Sequence, residues 1–147
     1  MNYHKQFQFN EEVTGRFIDV LIAHPDSPEE VKKWLSHSLN ALHIWLCRIA
    51  NRSYAYEVWQ IHPSDKLHEI NSALHSEIFE LLESGNLHSR HVYRNTEGNA
   101  YSNTLDEILT HLIIHSAHHR AQMSSSWRQV DIDPPVSDFI FWARSSV

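Results

Sequence analysis

The chain has 147 residues, which fits a single domain spanning residues 1–147 and suffices to bury a core without disulfide help. Its formal charge is −6 with the histidines neutral, and no stretch gathers Lys and Arg, so nucleic acid is not an expected partner. It holds one cysteine, no apolar run of about 18 residues, and no N-terminal signal pattern. We therefore expect a soluble, cytoplasmic protein with no membrane partner.

Apolar periodicity predicts two helices in the first part of the chain. The first spans about Asn10 to His24. It ends before Pro25, because a proline disfavours helical geometry at the residue before it. The second opens with Ser27–Glu30, whose serine, proline and glutamate predict a capping box with the serine as N-cap. Its apolar stripe predicts an end within residues 51–53.

A third helix is predicted over roughly Ser64–Glu83, with Gly85 as its stop. Residues 88–103 then lack helical periodicity. Within them His91–Arg94 and Asn99–Tyr101 flank a turn-forming segment, which predicts a small hairpin. This connection is also long enough to cross a helical bundle.

The fourth helix begins with a second capping box, Thr104–Glu107, and is predicted to continue to about Val130. An aromatic cluster near the C-terminus is expected to pack back on the helices, and it consists of Phe139, Phe141 and Trp142. The fold class is therefore all-α: a four-helix bundle with a long crossover connection and a small β-hairpin before the last helix.

Histidines are the unusual feature of the composition, with 13 in the chain. On the fourth helix, one arc of the helical wheel is formed by Leu105, Ile108, Leu112, His115, His119 and Met123. Two buried imidazoles one turn apart need polar partners, and a metal ion bound by both would supply one. His111 lies at the edge of this arc, and His118 is expected to face solvent.

Two histidines do not complete a catalytic metal site, which typically uses three protein ligands. In a bundle the third should come from a facing helix, and the second helix offers His37 and His43. Wheel geometry does not choose between them, because each lies to one side of the apolar arc. A single histidine on such a face is more often a hydrogen-bonded core residue than a ligand. Cys47, on the same helix, is expected to be a small core residue.

Three segments resemble one known family. His111–Gln122 is similar to the last-helix signature of the DinB-like (DinB/YfiT) metal-binding bundles. Ser36–Trp45 resembles the second helix of that family, and Pro134–Phe139 resembles its tail.

The resemblance implies a bundle, often a homodimer, that holds a divalent ion with His37, His115 and His119. His37 is preferred over His43 because it holds the family's histidine position before the tryptophan of the second helix. Gln122 and Arg120 match the motif without an assigned role, and Arg120 is also a candidate structural partner for Asp138.

The functional expectation is metal-dependent chemistry on a small, unidentified substrate. The resemblance points to an S-transferase or isomerase in which zinc, nickel or iron acidifies a low-molecular-weight thiol that attacks an electrophile. The alternatives are a metal-dependent hydrolase, and a non-catalytic stress-response bundle that binds a metal or a small molecule. The sequence assigns no catalytic side chain and does not identify the thiol.

Overall fold

The computed structural model describes residues 1–145 and confirms the predicted helical bundle with its small hairpin. The elements in chain order are α1 (Tyr3–Ala23), α2 (Glu29–Ala50), a 3-10 turn (Ser64–Lys66), α3 (Leu67–Ser84), β1 (Arg90–Arg94), β2 (Ala100–Thr104), α4 (Leu105–Arg128) and α5 (Phe139–Ala143). Among the described residues, no helix combines the length and hydrophobicity needed to cross a bilayer.

The four long helices meet in one apolar core, whose largest fully buried side chains include Trp127, Phe7 and Phe17. Burial of a large apolar side chain contributes about 1.5–3 kcal/mol. Trp127 packs on Phe17 with ring centroids 5.5 Å apart, and its indole N–H donates to Ser27 Oγ at 2.8 Å. This contact joins the end of α4 to the segment just before α2.

Contacts at the helix ends fix the direction of each helix. The start of α1 lies beside the start of α4, where Tyr3 Oη donates to Asp106 Oδ1 at 2.7 Å. It also lies beside the end of α3, where His4 stacks on Phe79. Because Trp127 brings the end of α4 to the start of α2, α1 and α4 run in one direction and α2 and α3 in the other.

The long crossover is the connection between α2 and α3, residues 51–63, which must run back along the bundle because these two helices are parallel. The prediction that residues 88–103 cross the bundle is wrong. That segment only turns the chain round, because the end of α3 adjoins the start of α4, where Leu105 N donates to Ser89 O at 2.9 Å. A side chain at Gly85 would meet Leu81 O at 2.5 Å, which explains why glycine ends α3.

Polar side chains of α2 hold the crossover in place. Asn40 Nδ2 donates to Gln60 O at 2.8 Å, and His62 Nε2 donates to Asn40 Oδ1 at 2.6 Å. His62 N also donates to Ser36 Oγ at 3.2 Å. Asn40 and Ser36 are completely buried, so these bonds satisfy groups that would otherwise lose their hydration without compensation.

Two of the predicted helix starts differ from the structure. α1 begins at Tyr3, earlier than predicted, and the Asn2 side chain caps it by accepting from Lys5 N at 3.1 Å. The prediction began too late because Asn10, polar yet buried, interrupts the apolar pattern. Ser27 is not the N-cap of α2, since its hydroxyl donates to the carbonyl of His24 instead.

The second capping box and the hairpin are as predicted. Glu107 N donates to Thr104 Oγ1 at 3.2 Å, and Thr104 N donates to Glu107 Oε2 at 2.8 Å. The hairpin strands pair antiparallel with Arg90 opposite Thr104, and Gly98 at φ +85° forms the turn. Glycine tolerates this positive φ without steric cost.

The C-terminal segment packs back on the bundle only in part. The rings of Phe139 and Trp142 contact Phe9 with centroids 5.2 and 5.6 Å away. Phe141 is 50% exposed, so its predicted place in this cluster is wrong.

A buried polar network joins α1, α3 and α4. Arg120 Nη1 donates to Asn10 Oδ1 at 2.6 Å, Asn10 Nδ2 donates to His75 Nε2 at 3.0 Å, and His75 Nδ1 donates to Asn71 O at 2.8 Å. Arg120 therefore pairs with Asn10 and not with Asp138, its predicted partner. Burial, opposed by the bond to Asn71 and assisted by the charge of Arg120, lowers the pKa of His75 to about 4. His75 is therefore neutral at pH 7.

This network predicts a pH-dependent stability. Because the pKa of His75 lies below its unfolded value, the unfolded chain binds the proton more tightly, and stability falls as pH drops from about 6.5 to about 4. In chelator-treated protein, His75→Gln should shrink the acid-induced loss of unfolding free energy by on the order of 3 kcal/mol. Urea unfolding at several pH values in this range measures the unfolding free energy of each variant. An unchanged pH dependence in His75→Gln, measured beside His88→Gln as the control at an exposed position, would refute the assignment.

Candidate metal centre

Three histidines from two helices meet at one point of the bundle. His37 Nε2 lies 3.2 Å from His115 Nε2, and His119 Nε2 lies 3.1 Å from the same atom. A ligand atom from each of the three rings lies within 4.8 Å of the other two. His37 and His119 are only 9% and 7% exposed.

Helix geometry explains how α4 contributes two of these rings. His115 and His119 are one turn apart on α4. They share a face of the helix with the four apolar residues of the predicted arc, and those four are buried. Those residues are Leu105, Ile108, Leu112 and Met123. α4 packs along α2, which brings the imidazole of His37 to the same level. The core stripe of α4 thus changes from aliphatic to imidazole for one turn.

Carbonyl groups fix the protonation of two of the rings. His37 Nδ1 lies 2.9 Å from Val58 O, and His119 Nδ1 lies 2.6 Å from Gln122 Oε1. A carbonyl oxygen only accepts hydrogen bonds, so each Nδ1 carries the proton and each Nε2 presents a lone pair. Both lone pairs lie beside His115 Nε2, which has one proton at most to offer. His115 Nδ1 is buried and has no partner among the described residues.

All three imidazoles are held neutral. Burial and the neighbouring histidines lower the pKa of His115 to about 3. Burial also lowers the pKa values of His37 and His119, although the bonds to Val58 and Gln122 oppose that shift. The neutral imidazole is the form that ligates metal, so no protons need to be displaced near pH 7.

The donor set fits a transition metal. In a tetrahedral zinc site with Zn–N bonds of about 2.0–2.1 Å, two ligand nitrogens lie about 3.3 Å apart. The separations of 3.2 and 3.1 Å are close to that value. A proton on His115 Nε2 can bridge only one of these two pairs, and the lone pairs of the other repel each other unless a cation lies between them. In metal-binding histidines, the ring nitrogen that does not bind the metal typically donates a hydrogen bond. Here Val58 O and Gln122 Oε1 accept such a bond from His37 and His119.

The structure distinguishes the two histidines of α2 that periodicity left open. His37 lies with His115, whereas His43 faces the other side of α2. There His43 Nε2 accepts from Ala55 N at 2.8 Å and lies 3.5 Å from the sulfur of the fully buried Cys47. His43 therefore helps to hold the crossover and does not take part in the three-histidine cluster.

The remaining histidines of α4 flank the cluster. The ring centroid of His111 lies 5.5 Å from that of His115 and 5.7 Å from that of Trp45. His118 is exposed, as predicted, and its ring lies 5.2 Å from that of His119. Trp45 thus forms part of the wall next to the centre.

The sequence reasoning missed the contribution of the crossover. Trp59 stacks on His37 with ring centroids 3.9 Å apart, and the ammonium group of Lys33 lies 5.1 Å from the Trp59 ring. Trp59 is 52% exposed, so it forms an apolar rim between His37 and solvent. The only sign of this role in the sequence was a tryptophan within a polar, non-helical segment. Apolar periodicity predicts the contacts of helices and strands, but not those of an irregular segment.

Comparison with known protein families gives a match over most of the chain. The sequence profile of the DinB family matches residues 26–146, a range that includes α2, the crossover, α3, the hairpin and α4 and leaves out α1. Neither the curated proteins nor the solved structures contain a significant match.

The bond between His119 and Gln122 predicts an effect on metal affinity. Gln122→Met keeps the size of the side chain but removes the oxygen that orients His119, so zinc should bind about 10–100-fold more weakly. Competition with a chromophoric chelator measures this affinity. Gln129→Met makes the same chemical change at an exposed position and should leave it unchanged. Equal affinities for the two variants would show that Gln122 does not support the centre.

Proposed function

The chain belongs to the DinB family, and from this premise we propose that His37, His115 and His119 bind one divalent transition metal and use it to activate a low-molecular-weight thiol. The thiol sulfur then attacks a small electrophile, forming a carbon–sulfur bond and releasing the thiol proton to solvent. The reaction is a transfer when the electrophile loses a leaving group and an isomerisation when the thiol is later expelled.

The observation that carries the proposal is the convergence of three neutral imidazoles whose outer nitrogens are already engaged or buried. Val58 O and Gln122 Oε1 hold two of the rings with their Nε2 lone pairs inward, an arrangement that favours a cation over a hydrogen-bonded histidine cluster. Three neutral ligands leave a bound divalent ion its full charge, and that charge lowers the pKa of a thiol beside it.

The surroundings favour thiol chemistry over hydrolysis. Among the described residues, the hydrogen-bond partners of the three rings are Val58 O, Gln122 Oε1 and the rings themselves, and none is a carboxylate. Hydrolysis needs a general base to direct a water molecule, whereas a thiol brings its own nucleophile and needs only deprotonation. The exposed face of Trp59 beside His37 offers an apolar surface for the carbon framework of a substrate.

The first test is metal content. Untagged protein purified without added metal, or offered zinc or nickel and then desalted, should contain close to one ion per chain by elemental analysis. His115→Ala should lose most of it, because His115 Nε2 adjoins both other ligand atoms. His118→Ala removes a neighbouring exposed histidine and should keep the ion. A folded wild-type protein that takes up no metal would overturn the metal-site proposal.

The second test is catalysis. Metal-loaded protein should accelerate conjugation of cysteine, glutathione or coenzyme A to chlorodinitrobenzene, followed by absorbance, and a chelator should abolish the acceleration. His115→Ala should behave like the chelated protein, while His118→Ala should retain activity. If a metal-replete protein turns over no thiol in a wide panel of thiols and electrophiles, the centre is a binding site without this chemistry.

A further inference from the structure

A cavity of about 210 Å³ opens at the far end of α2, between that helix, the first residues of the crossover and the hairpin. A cavity of this size holds several water molecules and is large enough for a small organic molecule. Its charged and aromatic lining consists of Arg48, Arg52, Arg94, Tyr54 and Tyr93. None of the histidines of the metal centre lines it.

The charge of this cavity contrasts with that of the chain. Three of the 12 Lys and Arg residues line it and no Asp or Glu does, although the formal net charge of the protein is −6. Arg52 pairs with Glu77, which lies outside the lining. Within residues 1–145, neither Arg48 nor Arg94 forms an ion pair with a carboxylate. The cavity therefore holds positive charge that the protein itself does not neutralise.

The guanidinium of Arg48 is held in a fixed orientation. Its carbon lies 4.6 Å from the ring centroid of Trp45 and 4.9 Å from that of Tyr93, and its Nε donates to Tyr54 Oη at 3.1 Å. Stacking between aromatic rings keeps the planar group from rotating freely. A ligand would then find the donors already in place and would order little on binding.

Arg48 is not needed to cap its own helix. The carbonyl of Cys47 accepts from Arg52 N at 2.9 Å, and the carbonyl of Arg48 accepts from Asn51 N at 3.3 Å. Among the described residues, the guanidinium makes only one other hydrogen bond, a long one of 3.5 Å from Nη2 to Arg94 O. Nη1 and part of Nη2 are therefore free to donate to a ligand.

We propose that this cavity, the Arg48 pocket, binds the carboxylate or phosphate group of a small organic anion, with Arg48 as the main donor. The paired N–H groups of arginine match the two oxygens of such a group, and the rings of Tyr54 and Tyr93 provide the wall for its carbon framework. The occupant is a small molecule because the cavity measures only about 210 Å³.

The Arg48 pocket stands on its own contacts and does not depend on the metal centre. Arg48 nevertheless lies on the same face of α2 as His37, because eleven residues make slightly more than three turns, and it is about 16 Å further along the helix. Trp45 lies between the two sites, in contact with both Arg48 and His111.

The test is an NMR titration of the ¹⁵N-labelled full chain with sodium phosphate and with sodium benzoate, at constant ionic strength kept with sodium chloride. Saturable shifts are expected at the backbone amides of Arg48, Tyr54 and Tyr93, with millimolar dissociation constants. Arg48→Gln should weaken binding by about tenfold or more. Saturation by benzoate alone identifies a carboxylate site, and saturation by both anions identifies a general oxyanion site; either supports the proposal.

Two further variants make the test decisive. Arg94→Gln alters an exposed arginine of the same lining and should also weaken binding, so the proposal remains testable if Arg48→Gln does not fold. Arg128→Gln makes the same charge change at the end of α4, outside this lining, and should bind like the wild type. The proposal is overturned if neither anion saturates, or if binding is undiminished in the folded Arg48→Gln and Arg94→Gln variants. Neither result bears on the metal centre, which is tested by metal content.

Discussion

The hydrogen bond between the imidazole of His37 and the carbonyl of Val58 connects the bundle with its site. Parallel α2 and α3 require the chain to travel back along the bundle, and the returning segment passes directly over His37. Its carbonyl fixes the protonation of that ring, and its next residue, Trp59, covers one face. The same segment is held by Asn40 of α2, which donates to Gln60 O and accepts from His62 of the crossover. The parallel direction of α2 and α3 therefore also determines which groups of the crossover lie beside His37.

Adjacent residues of α4 serve different networks. His119 faces the other two histidines of the candidate metal centre, whereas Arg120, about 100° further round the helix, faces Asn10 in the core. A guanidinium that is 4% exposed and bonded to a neutral amide is costly to bury, and burial lowers the pKa of Arg120 to about 10. Burial, assisted by the charge of Arg120, lowers the pKa of His75, so the network contains one cation and its second titratable group is neutral. Two neighbouring residues of α4 therefore have different roles: His119 belongs to the three-histidine cluster, and Arg120 joins α4 to α1.

The helices, the hairpin and the family could be predicted from the sequence, because periodicity, capping residues and the α4 motif are local signals. The Thr104 capping box shows this, since both of its hydrogen bonds lie within four residues. Choosing His37 over His43 needed the resemblance, because each lies beside the apolar face of α2 and only tertiary packing separates them. The role of Val58 and the bond that Gln122 of the motif makes could not be predicted, and Trp59 offered only its unusual place in a polar segment. A backbone carbonyl in an irregular segment has no sequence signature, and Ser27 likewise uses its hydroxyl on partners other than the predicted helix start.

His37 and His115 are 78 residues apart in the chain, and only the packed α2–α4 pair brings them together. Closing so long a loop has an entropic cost that an unfolded chain cannot recover from a single pair of imidazoles. The three nitrogens are therefore neighbours only in chains in which the two helices and the crossover have docked. An ion that binds them selects the native ensemble over partly folded ones, and its binding free energy adds to the stability of the whole bundle. Metal occupancy would then also measure the fraction of correctly folded chains. A chain whose crossover has not docked lacks the Val58 carbonyl that orients the His37 ring.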